Sequence, residues 1–236
     1  EYMPEPVVDA ICQAFPDTQR PLNGTAETGL LIEVASTRPI DAEETEGGSP
    51  RLNADLLSVL ADQIESGAVL DGVVATSERQ RTALWQMREA VLESITHAGK
   101  AYHFDLALPL QNVALFVSNM DAEIAEFGFR TLTIGHLGDG NLHYALAAPG
   151  GVDFDSLPLA AARSAVLDRL AAMGGSFSAE HGIGQSKLDL MRLQKQPSQL
   201  AALQAIKHAL DPKSIMNPGK LVPMEPVPQH MKRTAR

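Results

Sequence analysis

The sequence predicts an α+β fold: an antiparallel, ferredoxin-like sheet with helices packed on one face, followed by a C-terminal helical segment. Three observations carry that reading. Short apolar, β-branched runs alternate with stretches whose apolar residues recur at helical spacing. Two such runs flank Gly138-Asp-Gly-Asn141, a cluster that turns a chain back on itself as an antiparallel hairpin. The chain after residue 157 reads as helices and turns without a strand.

Taken in order, Pro6 to Phe15 is a short helix, and Gly29-Leu-Leu-Ile-Glu-Val-Ala35 reads as a buried strand. Asp41 to Pro50 is a polar, acidic loop with a hairpin-like excursion. Leu56, Leu57, Leu60 and Ile64 sit at helical spacing within Leu52 to Ser66, and Ala68-Val-Leu-Asp-Gly-Val-Val-Ala75 follows as a strand. Ser77 caps the next helix, with Gln80 completing a capping box, and that helix runs to about His97. Tyr102 to Pro109 is a strand ended by its proline, Gln111 to Phe127 a helix, and Thr131 to Leu146 the hairpin. Leu157 to Met173 is an alanine-rich helix, and two further helices lie near Lys187–Leu193 and Ser198–Leu210. Residues 1–222 are read as one domain, and 223–236, rich in proline and without periodicity, as a flexible tail.

Composition narrows the class. A chain of 236 residues, 44% hydrophobic and 20% charged, has ample material for a core. Its net charge of -10 argues against nucleic acid or an anionic membrane surface as partner. One cysteine, Cys12, excludes an internal disulfide framework and fits a reducing compartment. No apolar run reaches membrane-spanning length and the start is no signal peptide, so the expected location is cytoplasmic. The opening Glu1-Tyr-Met-Pro lacks an initiator methionine and reads as cut from something longer.

His136 and His143 flank the hairpin loop. If Gly138 to Asn141 form the loop, the two histidines are directly opposed and share a face, with Cβ atoms roughly 5 Å apart. They are then ordinary hairpin residues or two ligands of one metal ion. Gly174-Gly-Ser-Phe-Ser-Ala-Glu-His-Gly-Ile-Gly184 adds Glu180 and His181 in a glycine-rich turn. Two histidines and a carboxylate leave an open coordination position, the pattern of a catalytic metal site, and suit zinc, manganese or iron. Arg88 is either a surface residue or a clamp for a substrate carboxylate. His103 and Asp105 alternate on one strand and so share a face, as a solvent-facing edge or as a polar wall of the same pocket. Asn141 serves the hairpin turn. Gly182-Ile-Gly-Gln-Ser-Lys187 lacks the spacing of a phosphate loop, and Ser186 with Lys187 lacks an accompanying oxyanion loop.

In their order, five segments resemble the C-terminal half of the FAD-linked oxidases of the vanillyl-alcohol-oxidase superfamily, and within it the D-2-hydroxyglutarate, D-lactate and glycolate dehydrogenases. They are Trp85 to Glu89, Tyr102 to Pro109, His136 to His143, Ser178 to Gly184 and Asp211 to Lys220. The resemblance implies that His136, His143 and Glu180 bind a divalent metal, His181 takes the substrate hydroxyl proton, and Arg88 clamps the carboxylate. His103 and Asn141 would stand in the same catalytic site, and Asn217 in a segment that approaches the flavin. It implies oxidation of a D-2-hydroxy acid to a 2-oxo acid, hydride passing to FAD. An electron-transfer protein or quinone would act as acceptor. In such proteins FAD is held mainly by an N-terminal domain that this chain lacks, so the chain alone is expected to be inactive. A homo-oligomer is a further expectation, because the edge left by the missing domain exposes apolar surface. Three departures remove polar contacts: His103 stands where a lysine is common, Leu92 where a hydroxyl residue is, and Ala145 where a polar residue is. They point away from a dicarboxylate, towards a substrate with one carboxylate and a more apolar tail. The competing classes are a stand-alone metal-dependent hydrolase and a non-catalytic binding module.

Overall fold

A computed structural model describes residues 1–22 and 27–223. Helix α1 spans Glu5–Ala14, α2 Arg51–Glu65, α3 Glu78–Glu89 and α4 Val91–His97. The sheet follows as β1 (Ala101–Ala107), α5 (Leu110–Glu126), β2 (Arg130–His136) and β3 (Asn141–Ala147). Helices α6 (Leu159–Ala172), α7 (Leu188–Gln194) and α8 (Pro197–Leu210) complete the described chain. The sheet is antiparallel with strand order β1-β3-β2. After α6 the chain returns to β1 at one antiparallel bridge, Ala107 with Ser176. That bridge stands where a ferredoxin-like unit has its fourth strand, giving the order bridge, β1, β3, β2.

Alternation along the strands builds two cores. Phe104, Leu106, Leu142, Tyr144 and Leu146 face α5 and α6, where Phe116, Met120, Ile124, Val166 and Leu170 are buried. The opposite face carries Leu132, Ile134, Ala145 and Ala147, packed with Val7 and Ile11 of α1 and Val91 and Ile95 of α4. The α+β class and the antiparallel sheet are as the sequence predicts. Helices cover both faces, because α1 and α4 bring a second apolar stripe to the side that α5 and α6 leave open.

Other departures are local. The helix expected from Ser77 to His97 is two helices meeting at Ala90. Ser77 does cap α3, accepting from the Gln80 backbone N–H at 3.3 Å, while the Gln80 side chain accepts from the Thr76 N–H at 2.8 Å. Pro223 alone of the expected tail is described, and 224–236 lie outside the described residues.

The strands expected at Gly29–Ala35 and Ala68–Ala75 do not form. Residues 29–31 pair with Glu1 to Met3, through Met3 N to Gly29 O at 2.8 Å and Leu31 N to Glu1 O at 2.9 Å. The ladder stops there, and Leu30, Ile32 and Val34 stay exposed, as do Leu70 and Val73. An apolar run becomes a strand only where a neighbouring backbone offers its donors and acceptors in register.

Candidate metal and anion site

The hairpin closes one residue earlier than the loop residues alone predict. Its loop is Leu137 to Gly140: His136 pairs with Asn141, and His143 pairs with Ile134. Gly140 is the reason. It takes φ +77°, donates its N–H to His136 O at 3.1 Å, and lies so close to β1 that a Cβ would fall 2.1 Å from Leu108 O. Only glycine fits there. The direct His136–His143 pair is thus replaced by a diagonal one, on the same face because each histidine lies two residues from the other's partner. Their Nε2 atoms are 3.3 Å apart and their rings are perpendicular, at 89°.

One row across the sheet carries Asp105, His143 and Ile134. Asp105 is buried and is the anchor of the glycine-rich turn. Its carboxylate accepts from the backbone N–H groups of Ala179 (3.1 Å), Glu180 (3.3 Å) and His181 (3.0 Å), and from Lys187 Nζ at 3.2 Å. Burial pushes its carboxyl up, but the His181 N–H, Lys187 and the Glu180 N–H outweigh that and hold it below the usual range. Gly182, at φ +69°, lets the turn curl so that its carbonyl accepts from Ser178 Oγ at 2.7 Å. Tied down in this way, the turn sets Glu180 Oε1 3.3 Å from His143 Nε2 and 3.4 Å from His181 Nε2. The His143 and His181 rings stack with centroids 5.3 Å apart.

His136, His143 and Glu180 therefore offer three ligand atoms within 4.8 Å of one another. The separations of 3.3 Å match the edge of a tetrahedron with metal bonds of about 2.0–2.1 Å, roughly 3.3–3.4 Å. Burial, followed by the smaller effects of the neighbouring histidines, pushes His143 below its ordinary value, and the attraction of Glu180 only partly offsets this. It is thus neutral at pH 7, the form that ligates. On the same face Asn141 is 4% exposed, and its Oδ1 has no partner. Such an orphan costs about 1–3 kcal/mol unless a water or ligand donates to it. Donor set, spacing and orphaned acceptor all fit a cation with its bound ligand. Asp105, His143 and His181 also lie close enough to share an ion, but Asp105 Oδ2 is already occupied by the Ala179 and His181 N–H groups and Lys187, and Oδ1 shares the Glu180 N–H with it.

Arg88 reaches this cluster from the last turn of α3 and is largely buried, not a surface residue. Its Nε donates to Glu1 Oε2 at 2.8 Å, and Nη2 lies 3.4 Å from His136 Nε2. Glu1 Oε1 meets His136 Nδ1 at 2.9 Å. Burial pushes the Glu1 carboxyl up, but Arg88 and then His136 overcome that and hold it below the usual carboxylate value. Glu180 and His181 are half exposed, so the cluster opens to solvent on that side.

His103 lies on this face opposite Ala145, exposed at its surface side, and the partial burial of its ring pushes it below the ordinary histidine value. Asn217 is not among the converging groups. It sits at φ 46° in the loop after α8, which Asp211 organises by accepting from the Ile215 and Met216 N–H groups. The end of that loop is tied to the glycine-rich turn through Leu221 N to Gly184 O at 2.8 Å. Sequence reasoning missed Glu1 and Lys187 as parts of this site. No local pattern marks Glu1, which is 135 positions from His136. Lys187 was legible only as a neighbour of Ser186.

A family model for the C-terminal domain of FAD linked oxidases matches residues 1–221. The chain is 36% identical over 181 residues to the mitochondrial D-2-hydroxyglutarate dehydrogenase of Bos taurus, covering 76% of this chain and 33% of that protein. It is 36% identical over 162 residues to the D-2-hydroxyglutarate dehydrogenase of Stutzerimonas stutzeri, 67% of this chain and 35% of that one. The mitochondrial relative from Arabidopsis thaliana is 30% identical over 223 residues, 94% of this chain and 37% of its own length. The chain thus spans about a third of the length of these relatives.

Proposed function

Because the chain belongs to the FAD-linked oxidase C-terminal domain family, we propose that it is the substrate- and metal-binding half of an FAD-dependent 2-hydroxy-acid dehydrogenase. The whole protein oxidises a D-2-hydroxy acid to the 2-oxo acid. The observation that carries the reading is the convergence of His136, His143 and Glu180 beside the largely buried Arg88. His136, His143 and Glu180 hold the divalent metal, zinc, manganese or iron. When bound, the ion supplies Lewis-acid polarisation of a substrate oxygen, and FAD supplies the two-electron oxidant. Arg88 binds the substrate carboxylate through the N–H groups that Glu1 leaves free. His181, half exposed beside Glu180, takes the C2 hydroxyl proton at Nε2 as general base. Asn141 offers its unpaired Oδ1 as an acceptor, and Asn217 belongs to the flavin-facing edge.

Residues 1–222 make up this domain, and FAD is held mainly by a separate one. An electron-transfer protein or quinone receives the electrons. The relatives are named for D-2-hydroxyglutarate. For this chain the favoured substrate has one carboxylate, because His103 is neutral at pH 7 and Leu92 and Ala145 offer no polar contact. Neither a stand-alone hydrolase nor a non-catalytic module has support in the family match or in the relatives' names. As to location, no described helix is long and apolar enough to cross a membrane, and two of these relatives are named mitochondrial. The test is metal analysis with an absorption spectrum on one sample. The chain alone should bind about one divalent ion, lose it in His143→Ala, and show neither a flavin band nor dehydrogenase activity. A yellow, active chain, or metal retained in the variant, would overturn the proposal.

A further inference from the structure

The start of the chain runs along the free edge of β2. Tyr2 exchanges backbone hydrogen bonds with Gly135 at 2.8 and 3.2 Å, and Glu1 exchanges them with Leu31 at 2.8 and 2.9 Å. The antiparallel bridge between Tyr2 and Gly135 puts Glu1 beside His136, on the face that carries the ligand cluster. The main chain thus holds Glu1 in place without help from its side chain, and the carboxylate is left to act on what it faces. Each oxygen has a partner: Oε1 meets His136 Nδ1 at 2.9 Å, and Oε2 meets Arg88 Nε at 2.8 Å.

We infer that Glu1 is a positioning residue that sets the metal ligand His136 and the anion clamp Arg88 together. The inference rests on the metal reading proposed above. An ionised carboxylate only accepts, so His136 must carry its proton on Nδ1. Its Nε2 then carries a lone pair, with His143 Nε2 3.3 Å and Arg88 Nη2 3.4 Å away. A carboxylate behind a ligating imidazole fixes both tautomer and ring orientation. The second oxygen fixes Arg88 by its Nε edge, so Nη2 lies 3.4 Å from His136 Nε2 with its remaining N–H free for an incoming anion. One side chain therefore sets the distance between the ion and the substrate carboxylate. Both contacts are shielded, the Glu1 and Arg88 side chains being only 14% and 16% exposed.

The test compares wild type, Glu1→Ala, Glu1→Gln and His143→Ala as full chains, titrated with cobalt(II) and followed by calorimetry and visible absorption. Glu1→Ala should weaken cobalt binding about 10- to 100-fold while melting near wild type. Glu1→Gln keeps one acceptor and should fall between the two. In the metal-free chain, nitrogen NMR should show His136 as the Nδ1–H tautomer in wild type and no longer so in Glu1→Ala, a change that a purely structural role would not produce. Wild-type cobalt affinity together with an unchanged tautomer in Glu1→Ala overturns the inference. If wild type and His143→Ala alike fail to bind cobalt, the metal reading falls, and the tautomer still decides whether Glu1 holds His136.

Discussion

His143 shows how much a single side chain takes from its surroundings. Burial holds its imidazole below the ordinary histidine value, so the folded state resists a proton that the unfolded chain accepts near pH 6.5. Between those two values the unfolded state binds more protons, so stability falls as pH drops from 7 through 6.5 towards the folded value. Denaturant titration of the metal-free chain should show a lower midpoint at pH 5.5 than at pH 7.5, with a slope of at most about 1.4 kcal/mol per pH unit from this group. His143→Ala should flatten part of that slope, and an unchanged slope would refute the assignment. His103 is the second informative residue. Burial pushes its ring below the ordinary histidine value, so under the proposed function it supplies no second cation to a substrate. His103→Lys in the full-length enzyme should raise kcat/KM for D-2-hydroxyglutarate relative to D-lactate by about tenfold, the value of roughly 1.4 kcal/mol. Equal rates on both acids in the wild type would contradict the preference for one carboxylate.

At the scale of elements, the site is a hairpin and a turn locked by one carboxylate. Asp105 gathers three consecutive N–H groups and Lys187, so the turn carrying Glu180 and His181 is bound to β1 as firmly as a strand would be. Asp105→Asn leaves Lys187 and at least one N–H without a charged partner. It should cost about 3 kcal/mol by denaturant unfolding and weaken metal binding with it. A variant of wild-type stability would show that the turn is held by other contacts. Gly140 controls the hairpin register in the same sense. Alanine there meets both a left-handed φ and the Leu108 carbonyl, for a penalty of about 2–5 kcal/mol. The hairpin itself was legible in the residues, since β-branched runs around a Gly-Asp-Gly-Asn cluster have few other folds. Its register was not, because the atom that closes the loop early belongs to Leu108, just beyond the end of β1.

Over the whole molecule, the sheet is buried on one side by α5 and α6 and only partly covered on the other, where α1, α4 and the ligand cluster share the face. Leu30, Ile32 and Val34, and Leu57 and Val59 of α2, are apolar side chains that the described residues leave exposed. In the isolated chain that surface should drive self-association. Sedimentation should therefore show concentration-dependent species that Ile32→Glu with Val34→Lys suppresses. A monomer at all concentrations would show that this surface is not sticky enough to matter.

The sequence alone determined most of the helix positions, the antiparallel hairpin, the shared face of His136 and His143, and the place of Glu180 in a glycine-rich turn. All of these rest on short-range rules: periodicity, capping and turn residues act within a few positions of one another. Only the tertiary structure decided that residues 29–35 and 68–75 form no strand, because a strand needs a partner edge that its own residues cannot supply. It also decided that Asp105 anchors the glycine-rich turn, and that Glu1 stands behind His136 and Arg88. Those roles depend on contacts between residues that lie 74 to 135 positions apart, and no local pattern encodes them.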